Sequence, residues 1–123
     1  MTDKIRKVLV VDDDTDSREM IITVLEMEGY IVTGLDNGRQ VMENIRKDPP
    51  DIILLDVMLG DTNGFEICSS IKEDLQSRLI PVMMVSAIQG YETSCDQASL
   101  ANDFLCKPFD ISELLGKVTS LVA

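Results

Sequence analysis

Four apolar runs in this chain each end on a side chain that could do chemistry. Residues 7–11 run into Asp12-Asp13-Asp14, residues 52–55 into Asp56, residues 80–85 into Ser86, and residues 103–106 into Lys107. If those ends converge, Asp12, Asp13 and Asp56 share a pocket with one hydroxyl and one ammonium. Carboxylates ~5 Å apart repel by roughly 3 kcal/mol per pair at an effective dielectric near 20. A fold that keeps such a cluster calls for a cation, and carboxylate oxygens with room for water suit Mg²⁺ or Mn²⁺ over a soft metal. Ion, Lys107 and Ser86 together make a clamp for three phosphoryl oxygens and leave Asp56 as the nucleophile. Each residue alone has a plainer reading. Asp14 is best read as a helix N-cap, Asp56 as a turn acid, Ser86 as a strand-end hydroxyl, Lys107 as a solvated cation, and Asp61 and Asp103 as loop or capping residues. Those readings leave unexplained why every rim-facing strand ends in a group of the required type.

Convergence depends on the elements that carry the residues. The β-branched run 7–11 predicts a buried strand, residues 30–33 a more polar edge strand, and 52–55, 80–85 and 103–106 three further strands. Between them, Met20, Ile21, Val24 and Leu25 recur at helical spacing, with Asp14 or Thr15 as N-cap and Gly29 as the stop. Val41, Met42 and Ile45 mark a second helix, begun near Asn37-Gly38 and halted before Pro49-Pro50. Phe65, Cys68, Ile71 and Leu75 line a third. Residues 89–102 give only a marginal helix, with Tyr91, Cys95 and Ala98 as a thin stripe. The final helix is the clearest, carrying Ile111, Leu114, Leu115, Val118, Leu121 and Val122 behind a cap at Asp110 or Ser112. Five alternations of strand and helix predict a parallel sheet with helices on both faces. The richest apolar strands (first, third and fourth) belong in the middle. The expected architecture is therefore an α/β, flavodoxin-like doubly wound five-stranded sheet of order 2-1-3-4-5 with five helices, one domain over residues 1–123. In that topology the four strand ends open on one rim.

Composition narrows the chemistry. Of 123 residues, 45% are apolar and 27% charged, enough for a globular core. A net charge of −11 disfavours direct binding of nucleic acid or anionic membrane by this domain and fits a cation-filled pocket or a basic partner. The absence of histidine removes imidazole acid–base chemistry, most zinc sites and any phosphohistidine carried by this chain. Cys68, Cys95 and Cys106 lack metal or redox spacing and read as reduced, mostly packing thiols. No apolar run approaches the ~20 residues of a membrane span, and residues 1–4 lack a signal-peptide core. The expected setting is cytoplasmic.

Four motifs, in order along essentially the whole chain, carry a family resemblance. Val10-Val11-Asp12-Asp13-Asp14, Leu55-Asp56-x-x-Leu59 with Gly64-Phe65-Glu66, Val85-Ser86-Ala87 and Lys107-Pro108-Phe109 resemble the receiver domain of bacterial two-component response regulators, the chemotaxis-regulator type included. The resemblance implies that Asp56 accepts a phosphoryl group from a sensor histidine kinase or phosphotransfer protein. It implies that Asp12, Asp13, Asp56 and the Met58 backbone carbonyl hold Mg²⁺, Asp13 most directly, while Ser86 and Lys107 bind phosphoryl oxygens. Phe104 matches the family's aromatic switch position, and the Lys107–Pro108 peptide is expected to be cis. The chain is then a signalling switch. It catalyses its own phosphorylation and slow dephosphorylation rather than turning over a substrate, and it signals to a downstream effector through the face formed by residues 89–102, the fifth strand and the final helix. Apolar Met58 and Ile88, two residues beyond Asp56 and Ser86, predict a long-lived phosphoryl group. Two positions depart from the family pattern: Gly60 stands where proline is common, which loosens that loop, and Leu100 stands where glycine is common.

Three other functions share parts of this pattern. A flavin module needs a Ser/Thr/Gly-rich phosphate loop where this chain has Asp12 to Asp14. An aspartyl phosphatase of the haloacid dehalogenase type needs a second acid at the position of Met58. The third rival is compatible with the main reading: a receiver at the front of a longer regulator with an output domain.

Overall fold

The computed structural model describes residues 6–60, 62–86 and 101–122. Five strands, β1 (Lys7–Val11), β2 (Ile31–Leu35), β3 (Ile52–Asp56), β6 (Val82–Ser86) and β7 (Asp103–Cys106), form one parallel sheet of order β2-β1-β3-β6-β7. This is the 2-1-3-4-5 order expected from the sequence, with the polar β2 at an edge. Two short strands, β4 (Met58–Leu59) and β5 (Thr62–Asn63), were not foreseen. They pair antiparallel as a small hairpin inside the loop after β3. Four helices are described: α1 (Thr15–Met27), α2 (Val41–Lys47), α3 (Gly64–Glu73) and α4 (Ile111–Val122). Of the marginal helix expected over 89–102, residues 89–100, with Tyr91, Cys95 and the departure at Leu100, lie outside the described residues, while Ala101 and Asn102 are described and are not helical.

Apolar runs become strands buried on both faces because helices cover both sides. Every residue of β3 and β6 is buried. Leu9, Val11, Ile53, Leu55 and Met84 pack on one face with Val41, Ile45, Ile67, Cys68 and Ile71 of α2 and α3. Val8, Val10, Ile52, Leu54, Met83 and Val85 pack on the other with Ile21, Leu25, Leu114 and Val118 of α1 and α4. The alternation is the two-residue period of a strand read twice.

Side-chain caps decide the helix boundaries. Asp14, not Thr15, is the α1 N-cap, accepting from the Ser17 N–H at 2.9 Å. Gly29, at φ +95°, ends that helix in a conformation that suits glycine. Asp110 caps α4 by accepting from the Glu113 N–H at 2.8 Å. α2 begins at Val41, later than expected, because the Asn37 side chain accepts from the Arg39 N–H and makes a turn first. α3 stops at Glu73, so Leu75 is not on its buried face but 80% exposed. Asp74 leaves the helical conformation, and its carboxylate accepts from the Gln76 N–H, a local turn that competes with the helix. Asp103 is a strand residue rather than a loop acid and pairs with Lys117 of α4 at 3.2 Å. Cys68 is buried, whereas Cys106 is exposed at the end of β7 and does not pack.

Candidate functional site

The parallel register sets the site. β1 and β3 run side by side up to Val11↔Leu55, and β3 pairs β6 up to Asp56↔Val85. The next residue on each strand therefore reaches the same rim. Asp12 follows β1 and is 2% exposed; Asp56 closes β3 and Ser86 closes β6, each 7% exposed. Lys107 follows β7, its N–H donating to the Ser86 carbonyl at 2.7 Å, and the Lys107–Pro108 peptide is cis.

The Lys107 ammonium spans two carboxylates, donating to Asp12 Oδ2 at 2.9 Å and to Asp56 Oδ2 at 3.3 Å. Each acid's other oxygen is held by backbone: the Asp14 N–H donates to Asp12 Oδ1 at 2.9 Å and the Met58 N–H to Asp56 Oδ1 at 3.1 Å. Asp13 is exposed at the mouth of the site. One oxygen from each of Asp12, Asp13 and Asp56 lies within 4.8 Å of the other two. Three carboxylates at that spacing, with one side open to water, form an all-oxygen donor set that fits a hard divalent ion such as Mg²⁺ or Mn²⁺.

The two buried acids titrate apart. Burial pushes Asp12 upward, yet the Asp14 N–H and Lys107 outweigh it and hold its carboxyl below the ordinary value. Burial dominates at Asp56 and, with the neighbouring Asp12 charge, raises it to about 6 against the pull of the Met58 N–H and Lys107. Burial lowers Lys107, but the two carboxylates more than offset it and leave the ammonium above its ordinary value. Asp12 thus ionises more readily than Asp56, whose carboxylate carries chiefly the cost of burial.

Asp12, Asp13, Asp56, Met58, Ser86 and Lys107 stand on or beside this rim. Phe104 lies on β7, half-buried against the cluster that includes Met84 and Leu55. Met58, whose N–H bonds Asp56, is 58% exposed, and Ile88 lies outside the described residues. Gly60, directly after β4, adopts φ +64°, which proline cannot reach, so the departure at this position goes with a backbone conformation that suits glycine. Two contributions are visible only in the structure. Arg18 Nη1 donates to the Asp12 carbonyl at 2.8 Å and ties α1 to the acidic loop; its one signal is an arginine in the first turns of α1, close in sequence to Asp12. Gly64 begins α3, and its N–H donates to the Val57 carbonyl at 2.8 Å.

Comparison with known proteins agrees with this geometry. Residues 8–119 match the model of the response regulator receiver domain. The chain belongs to that family. This receiver is 33% identical over 123 residues to the DNA-binding dual master transcriptional regulator RpaA of a Synechocystis strain, covering 94% of this chain and 48% of that protein. It is 36% identical to the phosphate regulon transcriptional regulatory protein PhoB of Pseudomonas aeruginosa, covering 95% and 52%. It is 37% identical to the response regulator PleD of Caulobacter vibrioides, covering 94% and 26%. The receiver therefore spans about half the length, or less, of these curated relatives. Among solved structures, the chemotaxis response regulator CheY4 of Vibrio cholerae superposes with a TM-score of 0.87 at 28% identity, covering 96% of this chain and 99% of that one. The receiver domain of a signal transduction histidine kinase from Syntrophus aciditrophicus gives 0.88 at 26% identity, covering 95% and 89%. The receiver is a module of two-component signalling.

Proposed function

We propose that this receiver is a phosphorylation-dependent switch whose acceptor is Asp56. The observation that carries the reading is the Lys107 ammonium bonded to both Asp12 and Asp56 at the mouth of a three-carboxylate cluster. Asp56 is ionised at neutral pH because even its raised value, about 6, lies below 7. Its lone pair forms the O–P bond as the bond from phosphorus to the donor nitrogen of a kinase or phosphotransfer histidine breaks. The Met58 N–H fixes the carboxylate's orientation, while Lys107 and the Ser86 hydroxyl hold phosphoryl oxygens. Mg²⁺, held by Asp12, Asp13, Asp56 and the Met58 carbonyl, would neutralise charge on the transferring group.

A doubly charged group bonded to Lys107 draws Ser86 toward it and opens space for Phe104, which is already half-buried. Phenylalanine has no hydroxyl to anchor it outside, so its outward state lacks the hydrogen bond a tyrosine could make. The altered face, residues 89–102 with β7 and α4, then engages an effector. Moving such an equilibrium from 1:99 to 99:1 takes ~5.5 kcal/mol of differential binding. The domain accepts and slowly hydrolyses its own phosphoryl group and turns over no external substrate. Its setting is the cytoplasm, and any DNA contact belongs to an output domain, because a chain of charge −11 repels a polyanion.

Incubation with acetyl phosphate and Mg²⁺ tests the reading by intact mass. An adduct of ~80 Da that survives acid and is lost in base is expected of an acyl phosphate. The absence of an adduct on wild type, or an undiminished one on Asp56→Asn, would overturn it.

A further inference from the structure

We infer that Gly64 is a positioning residue for Asp56, a role fixed by direct backbone contact rather than by chain flexibility. The inference rests on Asp56 being the acceptor. A Cβ at position 64 would overlap the Asp56 carbonyl oxygen outright, and would lie 2.9 Å from Val57 Cα and 3.0 Å from the Asp56 carbonyl carbon. All three neighbours are main chain, so none can rotate aside. The first residue of α3 is therefore seated on the peptide that carries the acceptor, and the Gly64 N–H donates to the Val57 carbonyl at 2.8 Å. Asn63 locks the same junction, its side chain accepting from the Phe65 N–H at 2.8 Å while its backbone pairs with Met58 in the hairpin. The end of β3 is thus held from one side by the β6 ladder, through the Val57 N–H to the Val85 carbonyl, and from the other by α3.

A methyl group at position 64 forces the contact open by about 1 Å to reach ordinary van der Waals separation. Either α3 retreats or the Asp56 peptide turns. A turn of that peptide displaces the carboxylate relative to Lys107, Asp12 and Asp13, whose oxygens are held by other elements. A nucleophile misplaced by about 1 Å loses on the order of 100-fold in rate.

Gly38 supplies the matched control. A Cβ there would overlap a neighbour as closely, but its nearest neighbours are side chains, Ile67 Cδ1 at the tip of a core residue and Thr62 Cγ2 at 3.0 Å. Gly38→Ala presses first on side chains of α3 and β5 rather than on the Asp56 main chain. The experiment compares wild type, Gly64→Ala and Gly38→Ala for melting temperature, Mg²⁺ half-saturation read from Mg²⁺-dependent melting shifts, and the rate of adduct formation with acetyl phosphate. All three proteins are measured in trimethylamine N-oxide, which favours the folded state of a weakened variant without entering the site. Both variants are expected to melt lower. Only Gly64→Ala is expected to need at least about tenfold more Mg²⁺ and to form adduct at least about tenfold more slowly. A folded Gly64→Ala protein with wild-type half-saturation and rate overturns the inference, as does a Gly38→Ala protein that loses both equally. The two claims fail separately. If wild type forms no adduct, the acceptor reading falls, while the placement of the Asp56 carboxylate by Gly64 is still decided by the Mg²⁺ half-saturation.

Discussion

Replacing Asp56 with asparagine is expected to make the metal-free protein more stable at neutral pH, although it removes an ion pair with Lys107. The Asp56 carboxyl sits at about 6 in the fold against an ordinary value of 3.8. Folding therefore favours its protonated form. The stability gained this way is fully present below pH 3.8 and is lost as pH rises to about 6, the reverse of a typical paired acid. Above pH 6 the ionised carboxylate costs the whole shift, about 3 kcal/mol at 1.36 kcal/mol per unit. Relaxation and water penetration around the carboxylate reduce this to on the order of 1 to 2 kcal/mol. The substituted amide would keep an oxygen for the Met58 N–H and carry no charge beside Asp12. Urea unfolding in EDTA at pH 7.5 should show Asp56→Asn more stable than wild type by that amount, with the gap closing as pH falls toward 4. Saturating Mg²⁺ should stabilise wild type more than the variant, because the ion neutralises what the substitution removes. An Asp56→Asn protein less stable than wild type in EDTA at pH 7.5 would refute the reasoning: the Lys107 contact would then outweigh the burial of the carboxylate and the neighbouring Asp12 charge.

The same titration predicts that Mg²⁺ half-saturation of wild type is flat above pH 7 and rises by about tenfold per unit below pH 6, as the ion must displace the Asp56 proton; titration calorimetry checks this, and a flat curve down to pH 5 contradicts it. Lys107→Met should slow adduct formation from acetyl phosphate by on the order of 100-fold, the usual loss on removing one group that stabilises transferring charge. A rate within about twofold of wild type, roughly the scatter of such assays, contradicts the assigned role. Met58, exposed two residues beyond Asp56, and Ile88, outside the described residues, are expected to shield the phosphoryl group from water. Replacing both with asparagine should shorten the adduct's lifetime, read by decay of the adduct mass after acetyl phosphate is removed; an unchanged lifetime speaks against shielding.

The sheet was legible because its signals are local. Unbroken apolar runs such as 52–55 and 82–85 can be satisfied only between two layers of helices, and strand–helix alternation then leaves few topologies. The rim residues were legible for the same reason, since each directly follows or closes a strand and parallel pairing brings the ends together. The misses depend on competition that periodicity does not register. Leu75 keeps the apolar spacing of α3, but the Asp74 carboxylate captures the Gln76 N–H and ends the helix before it. Asn37 delays α2 in the same way. The β4–β5 hairpin has two-residue strands, too short for any alternation, and its one cue, Gly60, fits a loose loop as readily as a tight turn. The direction of the Asp56 shift was not legible at all. It depends on whether burial or Lys107 wins, and both follow from packing.

The most direct test of the account locates the phosphoryl group. Wild type treated with acetyl phosphate and Mg²⁺, then reduced with borohydride, converts an aspartyl phosphate to homoserine, because hydride attacks the activated acyl carbon. Peptide sequencing by mass spectrometry should find homoserine at position 56 and unmodified aspartate at 12 and 13. Omitting Mg²⁺ should greatly reduce the yield. Homoserine at another acid, or an adduct resistant to reduction while Asp56 stays intact, would contradict the central claim.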